Sequence, residues 1–295
     1  MDLDTFIIAV FCWIDEALPQ ITTGRRLRER GPAPVLDDCE VLTMEVVGAY
    51  LGLGQETALF AYFRRHWSHY FPALRQVHRT TWTRQAAHLR QVKERLWQRA
   101  VAQVPHDPDF ALVDSLPLPV CQFARAYRCR RFRGEARYGK DTLVRQTFYG
   151  FRLHVRLAWP GIITQFSVVP ANIHELAVVP QLTAQTTGWL IGDRNYGSPL
   201  LRQQVAATGL ALLAPYRSAK RDPQPQWSAP LSRVRYRIAT VFGQLVERTQ
   251  IKRVWARDTW HRGGRLLRLV LMHTLAVLFN LALGHEPLHL ASLVV

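Results

Sequence analysis

The chain has 295 residues, 48% of them hydrophobic, which is enough apolar surface for a folded core and too much for intrinsic disorder. A formal net charge of +16 and a pI near 10.5 point to a polyanionic partner, nucleic acid ahead of an anionic membrane surface. Cys12, Cys39, Cys121 and Cys129 form no Cys-x-x-Cys pair and no zinc-ligand spacing, so they read as core or free thiols in a reducing, cytoplasmic compartment.

The opening stretch, Asp2 to Ala17, is apolar but carries acids where a signal peptide needs basic residues. The first hundred residues read as helices. Residues 38–52 are apolar-periodic behind two candidate N-caps, Asp37 and Asp38, and a second helix runs from Gln55 to Trp67. A third begins at Thr80 or Thr81, with Trp82, Ala86, Leu89, Val92, Leu96 and Ala100 on one stripe. Its opposite face holds Arg84, Arg90, Lys93, Arg95 and Arg99, which suit either DNA phosphates or plain solvent. Pro105-His106-Asp107-Pro108 breaks the pattern. It divides an all-α N-terminal domain over 1–104 from an α/β domain over 105–284, followed by a tail over 285–295.

Beyond the break the pattern changes to strands. Phe110-Ala111-Leu112-Val113 is a short apolar run closed by Asp114. Tyr149, Phe151, Leu153, Val155 and Leu157 alternate with Arg152, His154 and Arg156, predicting a strand with one apolar face. Trp159-Pro160-Gly161 turns the chain into a returning strand, Ile162 to Val169. A helix over 174–184 leads to a second apolar run, Gly188 to Gly192, closed by Asp193. Ser198 to Thr208 reads as a helix ended by Gly209, Leu210 to Ala214 as a strand, and 218–230 as a proline-rich loop. Ser232 then caps a helix whose Val234, Ile238, Val241, Phe242 and Leu245 face the core. The late apolar segment Leu269 to Leu283 is shorter than a membrane span and predicts a buried helix.

Strand, hairpin, helix, strand, helix, strand, helix is the order of an RNase H-like mixed sheet, in which the strands of Asp114 and Asp193 lie side by side. A carboxylate pair at the carboxyl edge of a sheet is costly unless a cation compensates it, and magnesium or manganese does so while leaving positions for phosphate and water. Two such ions would serve phosphoryl transfer on nucleic acid. The bland alternative makes Asp114 a strand-end cap and pairs Asp193 with Arg194.

Several blocks carry a resemblance. They are Val113-Asp114-Ser115-Leu116-Pro117, Tyr149-Gly150-Phe151-Arg152-Leu153-His154, Pro170-Ala171-Asn172, Ile191-Gly192-Asp193-Arg194-Asn195-Tyr196 and Ile238-Ala239-Thr240-Val241-Phe242-Gly243-Gln244-Leu245. Their order and spacing resemble bacterial insertion-sequence transposases of the DDE type, and among them the insertion sequence 982 family. The resemblance runs from about residue 35 to residue 284. It implies an RNase H-like catalytic domain that binds transposon ends, cleaves DNA with two Mg2+ or Mn2+ ions and joins it to a target. It also implies a homodimer on double-stranded DNA, with no membrane involved.

Asp114 and Asp193 then stand as the first two metal-holding members of the acidic triad. The pattern's glutamate is replaced by Ala239, which cannot ligate metal. Glu247, two turns on, lies roughly 12 Å along the helix axis, too far to substitute. The chain as written is therefore expected to bind DNA and cut it poorly or not at all. The rivals are a repurposed DNA-binding protein and an RNase H-like nuclease. DNA contacts are expected from Arg194, Asn195 and Tyr196 beside the second aspartate, and from Arg235 one turn before Ala239. Others are expected from Lys140 and from Arg125, Arg128, Arg130, Arg131 and Arg133, which have Tyr127 and Phe132 interleaved. Lys252, Arg253, Arg257, His261 and Arg262 extend the positive surface. His154, His174 and Glu175 are assigned no catalytic role.

Overall fold

The computed structural model describes residues 1–23, 27–28, 31–141, 144–184, 186–215 and 228–295. The chain forms two compact units, one of Met1–Val104, Glu247–Ile251 and Trp255–Val295, the other of Pro105–Val246 and Lys252–Val254.

The first unit is helical. α1 (Leu3–Thr22) is capped by Asp2, and α2 (Asp38–Tyr50) opens on a capping box formed by Asp37 and Glu40. α3 (Glu56–His66), α4 (Arg79–His88) and α5 (Arg90–Gln103) follow, and α9 (Thr259–Ala282) packs against α2 and α5 rather than with the strands that precede it in sequence. α2 is buried on almost every side, so its one central acid, Glu45, must be paired within the fold. Lys93 Nζ of α5 lies 2.8 Å from Glu45, and Arg268 Nη1 of α9 lies 3.7 Å away.

That pairing corrects the expected cationic face. The helix predicted to run unbroken past residue 80 is interrupted at Leu89 (φ −78°, ψ 12°), and the second piece turns Lys93 inward to 2% exposure. Arg90 is likewise drawn over the Trp260 ring, 4.6 Å from its centroid. α9 also departs from expectation, being 24 residues rather than a short segment. By length and composition α1 and α9 could each cross a membrane, but 72% of the apolar window of α9 is buried inside the fold, as a core helix requires.

The second unit is built on a mixed sheet. Among the described residues its order is β2 (Arg137–Asp141), β3 (Gln146–Trp159), β1 (Asp107–Pro119), β5 (Gly188–Ile191) and β6 (Leu210–Leu213), with β4 (Ile162–Pro170) also paired to β3. β1 runs antiparallel to β3 and parallel to β5, and β5 runs parallel to β6. β2 and β4 share one edge of β3 in succession, β2 taking residues 146–150 and β4 taking 151–158. β3 is therefore an interior strand, and its polar face is covered as well: His154 is 0% and Arg152 8% exposed, not the solvent face that alternation predicts. Burial pushes His154 down to about 4, with the neighbouring Arg152 charge adding to the effect, so it is neutral near pH 7.

One side of the sheet is packed by α6 (Glu175–Leu182) and α7 (Pro199–Ala206), in a core of Ala111, Val113, Val179, Leu190, Tyr196 and Leu201. α8 (Ser228–Glu247) begins four residues before the expected cap, Ser232, and buries Ile238, Val241 and Leu245 as predicted. The expected loop over 218–230 lies outside the described residues up to 227.

Candidate functional site

The pairing of β1 with β5 sets the site. Its last register pair is Leu112 with Ile191, and Asp114 and Asp193 each stand two residues beyond it. Neighbouring parallel strands thus deliver both carboxylates to the same edge of the sheet, although 79 positions separate 114 from 193 in sequence. Asp114 does not close its strand, as the apolar run suggested, because β1 continues to Pro119 against β3. The continuation supplies a donor. Among the described residues, β1 past Leu112 has a ladder partner on the β3 side only, as in the Val120 N–H donating to Tyr149 O at 2.8 Å. Alternate N–H groups therefore face an open edge, where Pro117 and Pro119 cost nothing and the Ser115 N–H turns to Asp114 Oδ1 at 2.8 Å.

The second carboxyl oxygen of Asp114 faces α8, with Arg235 Nη2 3.8 Å away. Burial pushes the Asp114 carboxyl up to about 6. The Ser115 N–H and Arg235 work against that rise, while the charges of Asp193 and Glu175 add to it. Asp193 caps the short 3-10 turn Arg194–Tyr196, accepting from Asn195 N at 2.8 Å and from Asn195 Nδ2 at 3.1 Å. Gly192 permits this turn, since a Cβ there would come within 2.7 Å of Tyr196 Cβ.

The DNA-contact set expected around Asp193 is reordered by these bonds. Arg194 is exposed, whereas Asn195 commits its side-chain amide to Asp193. Tyr196 lies away from the surface: its ring fills the core at 0% exposure, and its hydroxyl is buried with no hydrogen-bond partner among the described residues. Burial raises that hydroxyl well above the usual phenol range, with the charges of Glu175, Asp114 and Asp193 adding to the effect.

Ala239 lies one turn beyond Arg235 on the exposed flank of α8, and a Cβ at Gly243, the next turn on, would touch nothing within 4 Å. Lys140, Arg128, Arg130, Arg131, Lys252 and Arg253 are all exposed, but Arg262 is buried in the first unit at 6% exposure.

Glu175 is the residue that sequence reasoning missed. It opens α6, and its Oε1 accepts from Ser115 Oγ at 2.7 Å and from Arg152 Nη1 at 2.9 Å. Arg152 Nη1 also reaches Ser115 Oγ at 3.2 Å, and Nη2 donates to Lys140 O at 2.7 Å. The strand residue next to Asp114 is thereby tied to β3, β2 and α6. An available signal was Arg152 itself: a guanidinium inside a sheet needs a carboxylate, and His174-Glu175 begins the next helix.

The donor set suits a hard divalent cation, which takes oxygen ligands and is often bound through one or two carboxylates plus substrate phosphates. A buried Asp114 whose proton affinity is raised is also a group that a cation would relieve. Among the described residues, however, no group of three His, Cys, Asp or Glu side chains could hold an ion.

Residues 106–259, just over half of the chain, match the family described as a transposase DDE domain. Among solved structures the chain is similar to a piggyBac transposase in a synaptic complex with hairpin DNA. The identity is 11% and the TM-score 0.51, over 99% of this chain and 77% of that one. At that identity the likeness is one of fold, an RNase H-like mixed sheet preceded by helices. No curated protein matches the sequence.

Proposed function

The chain belongs to the transposase DDE domain family, and from that premise we propose that it binds insertion-sequence ends as double-stranded DNA while lacking one ligand needed to cut them. The observation that carries this reading is the equivalent placement of Asp114 and Asp193, each two residues past the last β1–β5 pair. The sequence blocks around them favour a bacterial element of the insertion sequence 982 kind, acting in the cytoplasm.

In this reading Asp114 and Asp193 would hold divalent magnesium or manganese, and a competent relative with glutamate at 239 would hold two ions. Bound there, the metal supplies charge neutralisation of the scissile phosphate and activation of the attacking oxygen. The chain's own residues do the rest. The Ser115 N–H fixes one oxygen of Asp114, and Asn195 fixes both oxygens of Asp193, so neither carboxylate must be reoriented when phosphate arrives. Arg235 stands beside Asp114 as a positive group for the DNA backbone, and exposed Arg194, Arg128, Arg130, Arg131, Lys140, Lys252 and Arg253 extend the grip. Pairing of two transposon ends would require a homodimer on DNA.

Ala239 removes the ligand that would complete the coordination, so the chain as it stands is a DNA binder with little or no strand cleavage. Fluorescence anisotropy on a labelled duplex across a salt series tests the binding half. The affinity should fall steeply with salt, and Arg128→Ala with Arg131→Ala should flatten that slope by about 2. Affinity indifferent to salt would remove nucleic acid as the partner.

A further inference from the structure

We propose that the segment Phe123 to Lys140 binds unpaired nucleotides of a DNA strand, with Phe123, Tyr127 and Tyr138 as stacking platforms. The inference rests on the DNA-binding reading above and specifies which form of DNA this surface takes.

The segment leads from the end of β1 into β2 and exposes large aromatic side chains to an unusual degree. Tyr127 is 72% exposed, Phe123 55% and Tyr138 48%. Single exposed aromatics are ordinary, but these are grouped. The Phe123 and Tyr138 rings sit 6.1 Å apart, and Tyr138 meets Tyr149 at 5.1 Å, an aromatic series that ends at the surface. Tyr127 follows Phe123 within the same 3-10 turn (Phe123–Arg128) and carries the Arg128 guanidinium 5.0 Å from its ring centroid. Six arginines and Lys140 lie between 123 and 140, all exposed, against a single acid, Glu135.

The charge alone would serve the backbone of a duplex, whose base faces are hidden within the helix. The aromatics need another explanation, because a phosphate grip does not use them. Phe123 has no polar atom and offers a strand only its ring. Every unpaired base has a π-face, and alternating cations and rings are the surface that a single strand tracks, phosphates on the arginines and bases on the rings. Duplex DNA would use the arginines and leave the rings idle.

The test uses the full chain and two labelled probes, a blunt duplex and the same duplex carrying a single-stranded oligo-dT tail. The tailed probe should bind more tightly. The triple variant Phe123→Ala, Tyr127→Ala, Tyr138→Ala should lose about tenfold or more on the tail and less than about twofold on the blunt duplex. Because all three side chains are exposed, its melting temperature should match that of the parent, and Tyr127→Phe should retain the preference for the tail. Arg125→Ala with Arg128→Ala should weaken both probes alike. Equal losses on both probes in the triple variant, or no preference for the tail in the parent, would overturn the proposal while leaving DNA binding intact. Failure of the parent to bind either probe would overturn the DNA-binding reading, and this inference with it.

Discussion

Asp114→Asn should make the protein more stable at neutral pH, and the size of the gain follows from the site. Burial raises the Asp114 carboxyl from its ordinary 3.8 to about 6. At about 1.4 kcal/mol for each tenfold change in proton affinity, the ionised form costs the folded state up to about 3 kcal/mol. The side chain keeps 26% of its surface open, which screens the penalty and makes that figure an upper bound. The sign is that of a raised carboxylate: the folded state holds the proton more tightly than the unfolded chain. Stability therefore falls as pH rises from about 4 to about 6 and stays low above that. Asparagine keeps the shape and carries no charge at any pH. Thermal unfolding of the parent and variant at pH 8 should show the variant several degrees higher, at about 2–4 °C per kcal/mol for a unit of this size. At pH 4 the difference should close. Equal stability at pH 8, or a difference independent of pH, would show that burial outweighs neither the Ser115 N–H nor Arg235 at this carboxylate.

Other consequences can be checked by unfolding measurements. Lys93→Ala leaves Glu45 beside Arg268 alone and should cost about 3 kcal/mol, the low end for breaking a buried pair, and a neutral result in urea titrations would refute the pairing. Glu175→Gln should cost about 1.5–3 kcal/mol in urea titrations by leaving the Arg152 charge without its carboxylate, and a neutral result would remove Glu175 from its tie to Ser115. Tyr196→Phe should leave stability unchanged or raise it by about 1 kcal/mol, because the hydroxyl it deletes is buried without a partner; a loss of that size would show that the hydroxyl is engaged.

Much of the site was legible because the aspartates end runs that only an interior strand explains. Phe110–Val113 and Gly188–Gly192 are too short for helices and too apolar for loops, and the β3–β4 hairpin follows from plain alternation. What failed was the treatment of charge. Lys93, Arg152 and Arg262 look like solvent-facing residues in any periodic reading, yet each is buried, and the carboxylates that meet the first two lie 48 and 23 residues away in sequence. β2 was invisible for a different reason: Arg-Tyr-Gly-Lys-Asp has little strand propensity and is held by the free edge of β3. Tyr196 illustrates the limit of motif reading. Its position beside Asp193 suggested contact with DNA, and the 3-10 turn instead rolls it into the core.

In the proposed reading, Asp114 and Asp193 form a transposase site that glutamate in place of Ala239 would complete. The direct measurement is manganese-dependent cleavage of duplex DNA by the chain and by its Ala239→Glu variant, with Asp114→Ala added to the variant as control. Cleavage by the glutamate variant alone, abolished by Asp114→Ala, is the result expected. Equal cutting by both chains would show that position 239 is not the missing ligand.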